Sequence, residues 1–190
     1  IDNQISLKLE DLVSNLSMDT KNAHDALADC EFLIHLIKTI AKKLPNYYKE
    51  ILETTSKDDF FKILNSKSVH FNCYFIPSSK TTRAYPFTAL ISEFNLNKYI
   101  PIFDLTYDPD DFTNLSYTEL NQLINSKKKS PFKRLAMNKT QPTITLDTLI
   151  QDGIDIDGSD VLLQRAKMIE MNESFIERVT DIYNNLEYVN

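Results

Sequence analysis

Two groups of residues in this chain could do chemistry. The first is the segment Asn22-Ala23-His24-Asp25-Ala26-Leu27-Ala28-Asp29. An imidazole exchanges a proton near neutral pH, and a carboxylate is a hard oxygen ligand for a divalent cation. Taken alone, a His and an Asp at this spacing are better explained by chance or by ordinary helix capping. The second group is basic. Lys127, Lys128, Lys129, Lys133, Arg134 and Lys139 run through a stretch that also holds Phe132, and Lys80, Arg83 and Tyr85 form a smaller cluster. Cations that follow phosphates, beside aromatics on which bases stack, are what sequence-tolerant binding of a single strand requires. The bland alternatives are a solvated loop for Lys127–Lys129 and a core aromatic for Tyr85.

Geometry restricts the first group. Five helical residues turn the side chain by about 140°, so His24 and Asp29 cannot serve one site from mid-helix. His24 must precede the helix or sit in its first turn, with Asn22 as cap and Asp29 one turn in. Asp25 shares the face of Asp29 and is either a second ligand or, the preferred reading, a first-turn acid that favours the helix dipole. His35 reads as an ordinary helix residue and His70 as the outward face of a strand.

The elements that position these groups follow from hydrophobic period. Residues 7–16 have helical spacing, and a longer helix runs from about Asp25 to Leu44 with Ala26, Cys30, Leu33, Ile34, Ile37, Ile40 and Leu44 in one stripe. Pro45 ends it, and 47–64 form one or two short helices. The period changes to two over 69–75, a half-buried strand, with further strands at 86–92 and 99–105. Ser116 and Glu119 form a capping box that opens a helix to about Ile124. Residues 127–139 return to extended structure. Ser159 and Asn172 cap the last two helices, which run to about Met171 and Leu186. The class is α+β.

The net charge of −6 is unevenly spread. Residues 1–59 are net −4, residues 60–146 net +5 and residues 147–190 net −7, so only the middle block suits a phosphate backbone. The two glycines, Gly153 and Gly158, exclude a glycine-rich phosphate loop. No apolar run reaches spanning length, which argues against a membrane partner. Cys30 and Cys73 read as free thiols of a reducing cytoplasm. Around Gly158 a calcium loop would need an acid at 153 and a Glu at 164, where Gly153 and Gln164 stand, so that site is rejected. The start at Ile1, without Met, reads as a fragment.

Residues 7–45 closely resemble the third exonuclease motif of the DEDD superfamily in its histidine-bearing branch. The ordered series Asp104-Leu105-Thr106-Tyr107-Asp108-Pro109, Leu115-Ser116, Glu119-Leu120, Pro131-Phe132-Lys133 and Asn138-Lys139-Thr140-Gln141-Pro142 is similar to the second domain of the bacterial exonuclease I family. The resemblance covers nearly the whole chain. It departs where the family has Asn-Gly before the His motif, here Ser17-Met18, and in the absence of tryptophan.

The resemblance implies a fold, an activity and partners. Residues 1–60 are expected to be the last helices of a ribonuclease-H-like exonuclease domain, and 61–190 an SH3-like β-barrel domain with added helices. The activity implied is Mg²⁺-dependent 3′→5′ digestion of single-stranded DNA to 5′-mononucleotides, a DNA-repair function. His24 is the implied general base and Asp29 an implied metal ligand. Two-metal hydrolysis needs further carboxylates, which the family takes from an Asp-x-Glu on a strand and from another Asp. The one Asp-x-Glu here, Asp29-Cys30-Glu31, lies in a helix with its acids about 200° apart. The chain as given is therefore expected to hold Mg²⁺ poorly and to be inactive; the alternative is a non-catalytic module binding single-stranded DNA or protein, and a remoter one an unrelated α+β protein. Family members also bind the acidic tail of single-stranded DNA-binding protein. The positions aligned with that pocket, Glu50, Leu146 and Gln151, are neither basic nor aromatic, so binding of the tail is expected to be weak, partly offset by Lys42, Lys43 and Lys49.

Overall fold

The computed structural model describes residues 8–16, 18, 21, 25–66, 68–76, 81–92, 99–126, 129–137 and 143–187. Four helices come first: α1 (Leu9–Ser14), α2 (Ala26–Lys43), α3 (Pro45–Glu53) and α4 (Lys57–Ser66). The Asp25 carboxylate caps α2 by accepting the N–H groups of Leu27 and Ala28 at 2.9 and 3.3 Å. The cap expected at Asn22, which lies outside the described residues, is thus supplied by Asp25. Its β-region backbone and short carboxylate suit that position. Pro45 ends α2 and also opens α3 at its first position, where its missing N–H costs nothing.

The strands are β1 (His70–Ile76), β2 (Thr81–Ala89), β3 (Tyr99–Asp104), β4 (Phe132–Ala136) and β5 (Thr143–Thr145). They form one antiparallel sheet in the order β4-β3-β2-β1-β5. Between β3 and β4 lie α5 (Asp110–Thr113) and α6 (Tyr117–Asn125), and after β5 come α7 (Leu146–Gln151), α8 (Ser159–Glu170) and α9 (Glu173–Glu187). The capping box of α6 is present, with Glu119 N–H donating to Ser116 Oγ at 3.3 Å and Ser116 N–H to Glu119 Oε2 at 2.8 Å. Asn172 caps α9 by accepting the Phe175 N–H at 3.1 Å. Gly158, not Ser159, is the N-cap of α8, with φ of 73°, a left-handed conformation that glycine adopts freely.

Both sheet faces are covered by helices. On one, α4 lays Phe60 and Leu64 over Phe87, Ile100, Ile102 and Leu135. On the other, α6, α8 and α9 bring Leu120, Ile169, Phe175, Val179 and Ile182 onto Phe71, Leu90, Phe103, Phe132 and Ile144. Phe103 centres this side, edge-on to Phe112, Phe132 and Phe175 at 5.7, 5.6 and 6.3 Å.

Three expectations are corrected here. The closed SH3-like barrel is not formed by the described residues: β4 and β5 end an open sheet, and a sheet buried by helices on both faces has no interior of its own to close around. His70 is not outward but fully buried, stacked 5.2 Å from Phe87, with Nε2 at 3.3 Å from the Ile63 carbonyl, because α4 lies over that face. The predicted apolar stripe of α2 is not its buried side. Phe32 is buried instead, while Leu33, Ile34 and Ile37 stay 47–51% exposed. No helix among the described residues is long and apolar enough to cross a membrane.

Candidate nucleic-acid interface

The acid of the first motif sits where the spacing required. Asp29 lies in the first turn of α2, its N–H donating to the Asp25 carbonyl at 2.9 Å. His24 lies outside the described residues. Asp25 Oδ1 is engaged by the helix cap, which favours the capping role over that of a second ligand. Among the described residues no three His, Cys, Asp or Glu side chains gather as a metal site. The described donor set therefore does not by itself accommodate a pair of divalent cations.

The basic groups resolve differently from the expected stripe. Lys127, Lys128, Lys139 and Lys80 lie outside the described residues, as does the Arg83 side chain, whose backbone pairs with Tyr74. Lys129 is exposed just ahead of β4. Lys133 and Arg134 are consecutive on β4, an edge strand, so the pleat sends them to opposite faces. Phe132 is not available for stacking: it is buried in the helix-covered core.

On the α4 side, Lys133 Nζ lies 4.0 Å from the centroid of Tyr85, across β3. The two clusters that the sequence separates by almost fifty positions thus meet on one surface, as a cation–π pair. The same ammonium is 2.7 Å from Asp104 Oδ2. Asp104 is buried, and its Oδ1 accepts the N–H and hydroxyl of Thr106 at 3.0 and 2.6 Å. Lys133 is therefore largely neutralised in place, and its role is to hold the Tyr85 ring more than to attract phosphate. On the opposite face, Arg134 is exposed, 4.9 Å from the Tyr99 centroid and 5.8 Å from that of Tyr183. Burial pushes the Tyr183 phenol up to about 12 against the opposing pull of Arg134, so it stays a neutral platform. Among the described residues of these clusters, Arg134 and Lys129 are the exposed cations left for phosphate.

Asp104, Tyr99 and Tyr183 were missed as partners of these cations. Alternation along Phe132-Lys133-Arg134-Leu135 announces opposite faces, but no local signal names the side chain across the sheet. The Asp104–Pro109 turn is itself held from α8, where Arg165 Nη1 donates to the carbonyls of Leu105 and Thr106 at 2.9 and 3.2 Å and Nη2 lies 3.5 Å from Asp108 Oδ2.

The pocket positions aligned for an acidic tail are built into an internal clasp. Glu50, buried on α3, accepts the Thr145 N–H at 2.7 Å, the Thr145 hydroxyl at 2.9 Å and the Thr148 hydroxyl. In return, Asp152 after α7 caps α3, accepting the N–H groups of Asn46 and Tyr47 at 3.1 and 2.8 Å and the Asn46 amide at 2.8 Å. Leu146 is buried beside them, and Gln151 is exposed.

No family model matches the chain. Exodeoxyribonuclease I of Haemophilus influenzae is 26% identical over 198 aligned residues, covering 96% of this chain and 41% of that protein. The chain is a homologue of exodeoxyribonuclease I. It spans about two fifths of the length of these relatives. The zinc-bound E. coli exonuclease I complex with single-stranded DNA superimposes with a TM-score of 0.60 at 19% identity, covering 96% of this chain and 42% of that one. A complex of exonuclease I with the C-terminal peptide of single-stranded DNA-binding protein gives a TM-score of 0.61 at 18% identity, with coverage of 94% and 40%. The antiparallel sheet and its helices are thus an exonuclease I fold.

Proposed function

We propose that this chain is part of a 3′→5′ single-stranded DNA exonuclease and that its described residues hold the strand. The observation that carries this reading is the meeting of Tyr85 and Lys133 on one face of the sheet, with Arg134 on the opposite face of the same edge strand, in a fold shared with single-stranded DNA complexes. In this reading residues 1–60 complete the nuclease domain and 61–190 take the place of the family's SH3-like domain, with the division falling within α4. Tyr85 offers a stacking ring steadied by Lys133, while Lys129 and Arg134 neutralise phosphates. His24 is the proposed general base and Asp29 one ligand of a divalent cation, Mg²⁺, whose remaining carboxylates come from elsewhere in the parent enzyme. The bound metal supplies Lewis acidity and an activated water. The chain alone releases no mononucleotides, and the parent works in the cytoplasm.

The reading is tested by anisotropy of labelled oligothymidylate across a range of salt. Lys129→Ala and Arg134→Ala should each flatten the slope of log affinity against log salt by up to ~0.7, the share of one single-strand phosphate contact. Tyr85→Ala should leave the slope unchanged and weaken binding by ~1–3 kcal/mol, the worth of one stacked base. Unchanged affinity and slope in all three variants would sink it.

The second reading is a binding module without catalysis that grips single-stranded DNA or protein. In either reading the tail of single-stranded DNA-binding protein is a weak ligand, because the aligned position carries the Glu50 carboxylate, which is buried and engaged by Thr145 and Thr148.

A further inference from the structure

A groove of about 650 Å³ runs between α4, the end of β2 and the corner where α8 turns into α9. Its apolar walls are Phe61, Ile91 and Ile176. Phe61 is 37% exposed, and Met171 at the corner is 78% exposed. Along the other side stand Glu170, Glu173 and Glu177, all exposed. No Lys or Arg is among the lining residues, and none of the three carboxylates joins an ion pair among the described residues. Glu173 and Glu177 are four apart on one helix face, a spacing at which like charges oppose helix formation. Among the described residues no ion pair relieves that repulsion, and an incoming cation would.

We infer that this groove docks a basic segment of a partner protein, which sets a large apolar side chain against Phe61, Ile91 and Ile176 and lysine or arginine side chains against Glu170, Glu173 and Glu177. The charge selects the occupant. A phosphate backbone or an anionic lipid surface is repelled by three carboxylates that form no ion pair among the described residues, and so is an acidic tail. The apolar walls demand more than a cation: a groove with an aromatic anchor point favours a segment that buries a side chain at its centre and pairs charges at its rim. The groove shares no lining residue with Tyr85, Lys133 and Arg134, so nucleic acid held there leaves its walls free for this partner.

The test uses the whole chain and a short fluorescein-labelled peptide of leucine and lysine, alongside the same peptide with serine in place of leucine. Anisotropy should report saturable binding of the leucine peptide and binding about tenfold weaker for the serine peptide. The combined Glu170→Gln, Glu173→Gln and Glu177→Gln variant should weaken the leucine peptide by about tenfold or more. The combined Asp155→Asn, Asp157→Asn and Asp160→Asn variant, equal in charge change but outside the groove, should leave it unchanged. Chemical-shift changes on titration should centre on the amides of Phe61, Ile91 and Ile176. Equal weakening by the two charge variants, equal binding of the two peptides, or shifts centred elsewhere would overturn the inference. A dimer that the Glu→Gln changes dissociate, without peptide, would also overturn it by making the groove a contact between copies.

Discussion

α2 and α9 are both amphipathic helices, of 18 and 15 residues, and they place their apolar faces oppositely. α9 sets Phe175, Val179 and Ile182 at 0–1% exposure against the sheet. α2 buries Phe32 and leaves Leu27, Leu33, Ile34 and Ile37 between 47 and 70% exposed. Both follow the helical period, and α2 is the more apolar of the two, yet α2 is the less covered. α9 is fixed by tertiary packing, which supplies most helical stability in proteins. α2 is fixed by the Asp25 cap and by its contacts with α1 and α3. A contiguous exposed stripe of this kind marks a surface for contact with another apolar surface.

The largest expected effect lies on the α9 side. Phe175→Ala should lower unfolding free energy by ~3–5 kcal/mol, the cost of a large aromatic removed from a packed core. A denaturant melt that moved by less than ~1 kcal/mol would show that α9 is no better anchored than α2.

Next comes the clasp that ties α3, and with it α2, to the sheet. Burial pushes the Asp152 carboxyl up, but the donors from Tyr47 and Asn46 outweigh it and hold the group below the usual carboxylate range. A folded pKa below the unfolded one contributes stability above the unfolded value of about 4 and loses it as pH falls through the folded value. Melting temperature should therefore fall on acidification below that point, with α3 loosening before the sheet. Asp152→Asn should flatten this acid limb. An identical acid limb in the variant would show that the clasp does not couple the two regions.

The smallest effect belongs to α2. Leu33→Ser combined with Ile37→Ser should cost under ~1 kcal/mol in this chain, as for exposed positions. A loss as large as that of Phe175→Ala would mean that the stripe is covered and would erase the contrast between the helices.

The sequence by itself determined the local features. The period of 3.6 placed α2 and α9 within a residue or two, the period of two placed β1, and Ser116 with Glu119 fixed the start of α6, because each is set by neighbours within a turn or a pleat. Asp29 one turn into α2 was legible for the same reason. Shorter elements escaped: β5 and α7 occupy three and six residues, too few for a period to register. Tertiary structure alone decided which faces are covered, and so turned His70 inward, left the α2 stripe outward and kept the sheet of the described residues open. It alone joined Lys133 to Tyr85 and Asp104, and Glu50 to Thr145 and Thr148. Such pairs are chosen by packing between elements remote in the chain, and periodicity carries the existence of an apolar or charged face but never the identity of what lies across from it.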